Sequence, residues 1–377
     1  MTENAIISSF LSAKIKEGYF PSAVYLVAEK GRVEFKGAVG EAVIKPKKIR
    51  AKIETIYDLA SLTKPLVTGL ICAILQQRGE INLEDRVSRY IHEFQRTDKS
   101  QVRIVDLLTH TSGLASWLPL YLLVDSPAEI LRAIIAQKNE ASHGSKVIYS
   151  DLNFIILQGL IERIYGVSLA EVFQREVALP LGLRRTFFNP PANLLEEISA
   201  NEEGNLYELE TCLNRGYVIS EKKEKFFRKN VIWGEVHDGN CWFMGGVSGH
   251  AGIFSTVEES YKLAQQFLIE ESTLLEPEIC NLFRCNFTRG LNEHRSLAFQ
   301  LAGTIDSVAH QVLPDFSFGH LGFTGTSLWI DPEKRRVFIL YTNRTHMKKP
   351  PFPNINPIRK EFLKLAVSSL DDKSFGI

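Results

Sequence analysis

Two strand–turn–strand patterns stand at opposite ends of the 377-residue chain, and most of what lies between them reads as helix. Near the start, Ser22 to Ala28 and Val33 to Ala38 flank the turn Glu29-Lys30-Gly31-Arg32. Near the end, Phe323 to Ile330 and Arg336 to Thr342 flank Asp331-Pro332-Glu333-Lys334. Apolar and β-branched runs around such turn residues mark hairpins. Residues 3–17 predict an amphipathic helix with Ile6, Ile7, Phe10, Leu11 and Ile15 on one side, and 357–370 predict a closing helix. Helical spacing recurs over 64–78, 103–109, 127–137, 152–165, 168–178 and 257–270. The expected class is α+β: one antiparallel sheet built from both chain termini, flanked by helices, with a large mainly helical insertion. We expect a single domain over 1–377, its sheet part about 1–60 and 290–377 and its helical part about 61–289. The polar stretch 190–245 is the least regular and is expected to be an excursion over the surface.

Charge and apolar content exclude several classes. Lys plus Arg equals Asp plus Glu at 44 each, so no overall field pulls the chain toward nucleic acid or an anionic membrane. No run reaches the roughly 18 apolar residues of a membrane span. The start, MTENAIISSFLSAKIKEGYFPS, lacks a secretory layout. Cys72, Cys212, Cys241, Cys280 and Cys285 form no C-x-x-C pair and no disulfide framework. A cytoplasmic chain is the expectation, or an exported one if a signal was trimmed. Nothing in the sequence sets the oligomeric state.

Common catalytic signatures are missing: no G-x-S-x-G elbow, H-E-x-x-H, P-loop or G-x-G-x-x-G. Gly246-Val247-Ser248-Gly249-His250 misses the elbow at its last position. Three weaker stretches remain. In YDLASLTKPL, Ser61 precedes Lys64 by three residues at a helix start, where backbone N–H groups favour negative charge. A desolvated lysine there serves as base to a serine nucleophile; equally, the pair reads as a cap and a surface charge. Ser220 and Lys223 repeat the spacing inside a charged run and read as surface. Next, Tyr149-Ser150-Asp151-Leu152-Asn153 leads into an apolar helix, where Tyr149 is either a proton-transfer group favoured by nearby cations or a packed ring. Last, Gly319-His320-Leu321-Gly322-Phe323-Thr324-Gly325-Thr326 opens the late hairpin. Its glycines permit close backbone approach, His320 offers a donor or a cation, and a backbone N–H can hold an oxyanion.

Together these stretches resemble the serine β-lactamase and penicillin-recognising DD-peptidase family, most closely its class C-like branch. The phrases from Leu107 to Leu114, Leu179 to Leu183 and Gly249 to Thr256 resemble it too, so the likeness runs from about residue 20 to 345. The resemblance implies Ser61 as acylated nucleophile, Lys64 as its base and Tyr149 as proton shuttle. It implies an oxyanion hole from the N–H groups of Ser61 and Phe323, and a substrate edge lined by His320 and Gly322. The family's second-motif asparagine is Asp151 here, or is displaced to Asn153. The family's Lys-Thr-Gly is His320-Leu321-Gly322, a change that weakens carboxylate binding and fits peptidase- and esterase-like members. The implied activity is hydrolysis of a β-lactam, a D-amino-acid peptide or a small ester, with no metal or cofactor and a small molecule or peptide as partner. A catalytically idle binding protein of the same fold is the rival reading.

His237, Asp238, Cys241 and His250 fit no standard zinc spacing and read as structural. Trp117, Leu118, Leu120 and Tyr121 read either as an apolar substrate wall or as core. Glu276-Pro277-Glu278, which resembles a class A deacylation loop, lies too far along the chain to carry that role.

Overall fold

A computed structural model describes residues 2–374. Among them, five long strands dominate: β1 Ser22–Glu29, β2 Arg32–Val43, β3 Phe318–Leu321, β4 Ser327–Asp331 and β5 Arg336–Thr342. They run in the order β2-β1-β5-β4-β3, all antiparallel, with short edge strands Ile49–Arg50 beside β2 and Gln300–Leu301 beside β3. The two chain ends meet at the centre: Ala23 pairs with Thr342 and Glu29 with Arg336. The sheet built from both termini is therefore present.

One boundary differs. The late hairpin is β4–β5, whereas Phe323 to Thr326 is not strand but the turn joining β3 to β4. Gly322 N–H donates to the Thr326 carbonyl at 2.8 Å, closing that turn. The glycines account for the bend: Gly325 has φ +120°, and a Cβ there would stand 2.2 Å from Thr342 Oγ1.

Both faces of the sheet are covered, so β1 and β5 are apolar on both sides. Ala23, Tyr25, Val27, Phe338 and Leu340 face the terminal helices α1 (Ala5–Lys16) and α5 (Asn356–Ser374). Val24, Leu26, Val337, Ile339 and Tyr341 face the helical insertion, whose core includes α2 (Leu70–Gln77) and α3 (Asp151–Tyr165). A three-stranded sheet of Tyr57–Asp58, Phe187–Phe188 and Ile253–Ser255 ties the segment before Ser61 to the insertion. Its first strand leads directly to Ser61.

The stretch 190–245 is more than a surface excursion. It holds a helix, α4 (Leu206–Asn214), and brings Tyr207, Glu208, His237 and Asp238 to the main cavity. No single helix among the described residues is long and apolar enough to cross a membrane; α3 with Leu169–Ala178 passes by length and composition only as a pair bent by 73°. Nine residues of α3 are buried in the protein core.

Candidate active site

Asp58 builds the segment that carries Ser61. Fully buried, it accepts the Ala60 N–H at 2.9 Å and the His237 N–H at 2.8 Å. Burial raises its pKa, and those two N–H groups oppose the rise. Ala60 sits at φ +47°, a left-handed geometry unusual for a residue with a Cβ. The Asp58 bond and two hydroxyls hold it there: Thr324 Oγ1 donates to the Asp58 carbonyl at 2.7 Å and Thr326 Oγ1 to the Leu59 carbonyl at 3.0 Å. The β3–β4 turn is thus clamped to the backbone carrying Ser61.

Ser61 lies in a tight turn, Ala60–Leu62, and Lys64 opens a π-helical turn, Lys64–Gly69, that runs on into α2. The side chain of Lys64 is 0 % exposed. Its ammonium donates to Ser61 Oγ at 2.9 Å and the His250 carbonyl at 3.1 Å, and pairs with Asp151 at 2.8 Å. Burial pulls the ammonium's pKa down, but Asp151, aided by Tyr149, holds it above the ordinary lysine value. Lys64 is therefore a charged donor at rest, not the neutral base expected of a desolvated lysine. The surface reading of Ser61–Lys64 is excluded, while Ser220 is exposed and Lys223 is tied to Val124 and Asp125.

Tyr149 stands beside this pair, with Lys64 Nζ 4.9 Å from its ring centre. Beneath it lies His110, at a ring distance of 4.6 Å. The Ser150 N–H donates to His110 Nδ1 at 3.0 Å, and Ser150 Oγ donates to the Ala115 carbonyl. Burial raises the Tyr149 pKa more than Lys64 lowers it, so the phenol keeps its proton at rest. The neighbouring cations therefore do not favour its phenolate at rest.

Asn153 does not reach the site. It is fully buried, accepts the Ser112 hydroxyl at 2.6 Å, and sets its amide against His110 Nδ1 at 3.3 Å. Two residues further into α3 than Asp151, and so on another side of the helix, it points into packing, so the second-motif position facing the cavity belongs to Asp151.

His320 is also corrected. Its Nδ1 lies 2.9 Å from the Leu321 carbonyl, which only accepts, so Nδ1 carries the proton. Burial, with Lys64 and Arg295 nearby, pushes its pKa well below the usual histidine range. His320 is a neutral ring, not a cation. Gly322 lines the cavity, but its missing side chain faces inward: a Cβ would stand 2.0 Å from Thr326 Oγ1 and 2.6 Å from the Leu59 carbonyl. Gly322→Ala should therefore push the turn off the segment that carries Ser61. We expect a loss of roughly 1–3 kcal/mol in stability and about a hundredfold in kcat/KM, read by thermal melts and steady-state kinetics. Phe323 packs its ring against Tyr207, His237 and Phe352.

Ser61, Tyr149, Asp151, His320, Gly322 and Phe323 all line one cavity of about 510 Å³, and Trp117 forms part of its wall. Leu118, Leu120 and Tyr121 are core. Glu276 to Glu278 stay outside the cavity. Several cavity residues had no motif to announce them. Arg295 lies over the Tyr149 ring at 5.3 Å, with Glu293 on one nitrogen. Arg344 Nε donates to the Phe323 carbonyl at 2.7 Å, and Arg359 Nη2 donates to the carbonyls of Gly322 and Thr326 at 2.9 Å each. Glu208, buried against the Tyr121 hydroxyl and the Gly239 N–H, has its pKa pushed up to about 7 by burial and by Asp238.

The former zinc candidates separate. His237 pairs with Glu202, and Cys241 donates its thiol to the Ala251 carbonyl. Donor atoms of Asp151, Asp238 and His250 do lie within 4.8 Å of one another. The Lys64 ammonium already stands on Asp151, which disfavours a second cation among them.

Residues 7–357 match the Beta-lactamase family model. A Salmonella typhi protein named "Putative D-alanyl-D-alanine carboxypeptidase" is 32% identical over 382 residues, spanning 93% of this chain and 84% of that protein. EstCE1, described as a hydrolase with promiscuous acyltransferase activity, superposes with a TM-score of 0.72 at 20% identity, covering 95% of this chain and 97% of its own. A class C β-lactamase from Rhodobacter sphaeroides gives 0.71 at 15% identity, covering 97% and 99%. With the family model spanning nearly the whole chain and a serine, a lysine and a tyrosine converging on one cavity, the chain belongs to the Beta-lactamase family.

Proposed function

We propose that this serine hydrolase works through a covalent acyl-enzyme on Ser61, with short peptides or amides of D-amino acids as its substrate class. The contact that carries the reading is Lys64 Nζ on Ser61 Oγ at 2.9 Å inside a cavity large enough for such a ligand. Similarity to a protein named as a carboxypeptidase supports the peptide class.

In this reading the reactive form of the Lys64–Tyr149 pair holds one proton fewer than the resting form. Ser61 Oγ attacks the carbonyl carbon and its proton passes to that pair. Tyr149 then delivers a proton to the leaving nitrogen as the C–N bond breaks, which returns the pair to its starting state. Water repeats the sequence on the ester, releasing the acid and restoring the Ser61 hydroxyl. The N–H groups of Ser61 and Phe323 hold the oxyanion, an interaction in which each donor is worth about 3–4 kcal/mol. The clamp of Thr324 and Thr326 supports this role by setting the Phe323 segment against Ser61.

The test is covalent labelling. Folded protein treated with a fluorophosphonate should carry the label on Ser61, located by peptide mass analysis. No label on folded protein would sink the mechanism and favour an idle binding protein. Turnover of D-alanyl-D-alanine, nitrocefin and p-nitrophenyl esters then ranks peptide, lactam and ester.

The pH profile has a definite sign. Resting Lys64 and Tyr149 both hold their protons, so kcat/KM should climb as pH rises toward the pair's pKa. Burial alone pulls Lys64 down, and Asp151 supplies the largest opposing pull. Asp151→Asn should therefore move the rising limb to lower pH, as followed by kcat/KM across pH 6–10. An unmoved limb would mean that Lys64 does not titrate in the reactive step.

A further inference from the structure

The family's second motif carries an asparagine where this chain carries Asp151, and the two differ in what they can bind. An amide both donates and accepts, whereas a carboxylate only accepts. One Asp151 oxygen meets Lys64 at 2.8 Å, and the side chain keeps 16 % exposure on the cavity wall. Asp238 lies on the same wall, within 4.8 Å of Asp151 by their donor oxygens. Asp238 Oδ1 accepts the Cys241 N–H and faces His250 Nε2 at 2.9 Å. His250 and Lys64 keep its carboxyl below the usual range, against the pull of burial. The Lys64 ammonium pairs with Asp151, and Asp238, facing His250, adds a second carboxylate beside it.

A third acceptor points the same way. With its Nδ1 proton committed to the Leu321 carbonyl, His320 presents a bare Nε2 that has no partner, on a ring only 4 % exposed and part of the cavity wall. The cavity's arginines are partly engaged: Arg344 and Arg359 hold carbonyls of the β3–β4 turn, Arg215 donates to the Trp117 carbonyl, and Arg295 covers the Tyr149 ring and pairs with Glu293 while its Nε and Nη1 stay unpaired. Beside Lys64, the wall offers the two carboxylates and His320 Nε2 as acceptors.

We propose that Asp151, with Asp238 beside it, selects substrates whose acyl part carries a free ammonium group near the scissile carbonyl: amino-acid amides, amino-acid esters and N-terminally unblocked dipeptides. Contacts of 2.9 and 2.8 Å lead from Ser61 Oγ through Lys64 to Asp151. A carbonyl attacked at about 3–3.5 Å places an α-ammonium, two bonds from the carbonyl carbon, beside that carboxylate. An N-acyl group at the same place would instead turn a carbonyl oxygen toward acceptors, leaving both sides unpaired.

The inference rests on the Ser61 acyl-enzyme, and its test keeps the two apart. Wild-type enzyme is compared on D-alanine p-nitroanilide and N-acetyl-D-alanine p-nitroanilide. We expect kcat/KM to favour the free amine by about tenfold or more at neutral pH. Asp151→Asn should bring the ratio close to one, mainly through a raised KM for the free amine. Because both substrates depend on Lys64, any effect of the variant on proton transfer cancels in the ratio. A second readout needs no variant: D-alaninamide should slow fluorophosphonate labelling of Ser61 at lower concentration than N-acetyl-D-alaninamide. Equal or better turnover of the acetylated anilide by wild type, or equal protection by the two amides, overturns the proposal. Labelling at Ser61 without amine preference overturns this selectivity alone, whereas absent labelling overturns the acyl-enzyme itself.

Discussion

Ser61→Ala is expected to lower kcat by about 10³-fold or more on every substrate the enzyme turns over, and to remove all fluorophosphonate label. The hydroxyl is the acceptor of the Lys64 ammonium at 2.9 Å and faces the cavity beside Tyr149. Alanine keeps the turn Ala60–Leu62 free of new atoms, so the fold should survive: its braces belong to the Asp58 carboxylate and to the Thr324 and Thr326 hydroxyls. A KM near the wild-type value with a collapsed kcat would place the hydroxyl in the chemical step. Full retained activity would show that the nucleophile lies elsewhere. The effect exceeds that of any neighbouring substitution because Ser61 itself would form the acyl bond.

The second large effect is Lys64→Met, which should cost both activity and stability. Methionine is close in length but leaves Asp151 and the His250 carbonyl without their cation. Breaking a buried pair from one side typically costs roughly 3–5 kcal/mol. Here the stranded carboxylate also lies near Asp238. Lys64→Met combined with Asp151→Asn should recover most of the melting temperature while activity stays lost. If the double variant were no more stable than Lys64→Met, the ion pair would not be the source of the deficit. Recovery of stability without activity separates the structural duty of the pair from its proton-transfer duty.

Much of this arrangement was legible in the residues. Apolar runs around turn signals announced β1 and β5, because strands buried on both faces need continuous apolar sequence, whereas β2 is only partly buried. Ser61, Lys64 and Tyr149 were legible by motif order, each uninformative alone. The β3–β4 turn was misjudged as strand: Phe323 to Thr326 alternates like a strand, yet hydroxyls of Thr324 and Thr326 bond to Asp58 and Leu59, more than 260 positions earlier. Asn153 looked as good a candidate as Asp151 until helical geometry turned one inward and left the other at the cavity. Arg295, Arg344 and Arg359 were invisible, since a lone arginine carries no spacing signal.

By itself, the sequence determined the class of fold and, through its resemblance, the serine hydrolase family. Periodicity sets which segments bury which faces, and a serine, lysine and tyrosine in that order limit the available reactions. Only the tertiary structure decided the charge states. Lys64 is an ammonium because Asp151, 87 residues away along the chain, outweighs its burial; His320 is neutral because burial and nearby cations oppose its protonation. Such shifts depend on distances of a few ångströms in a poorly solvated interior, and distance through space is not written in spacing along the chain.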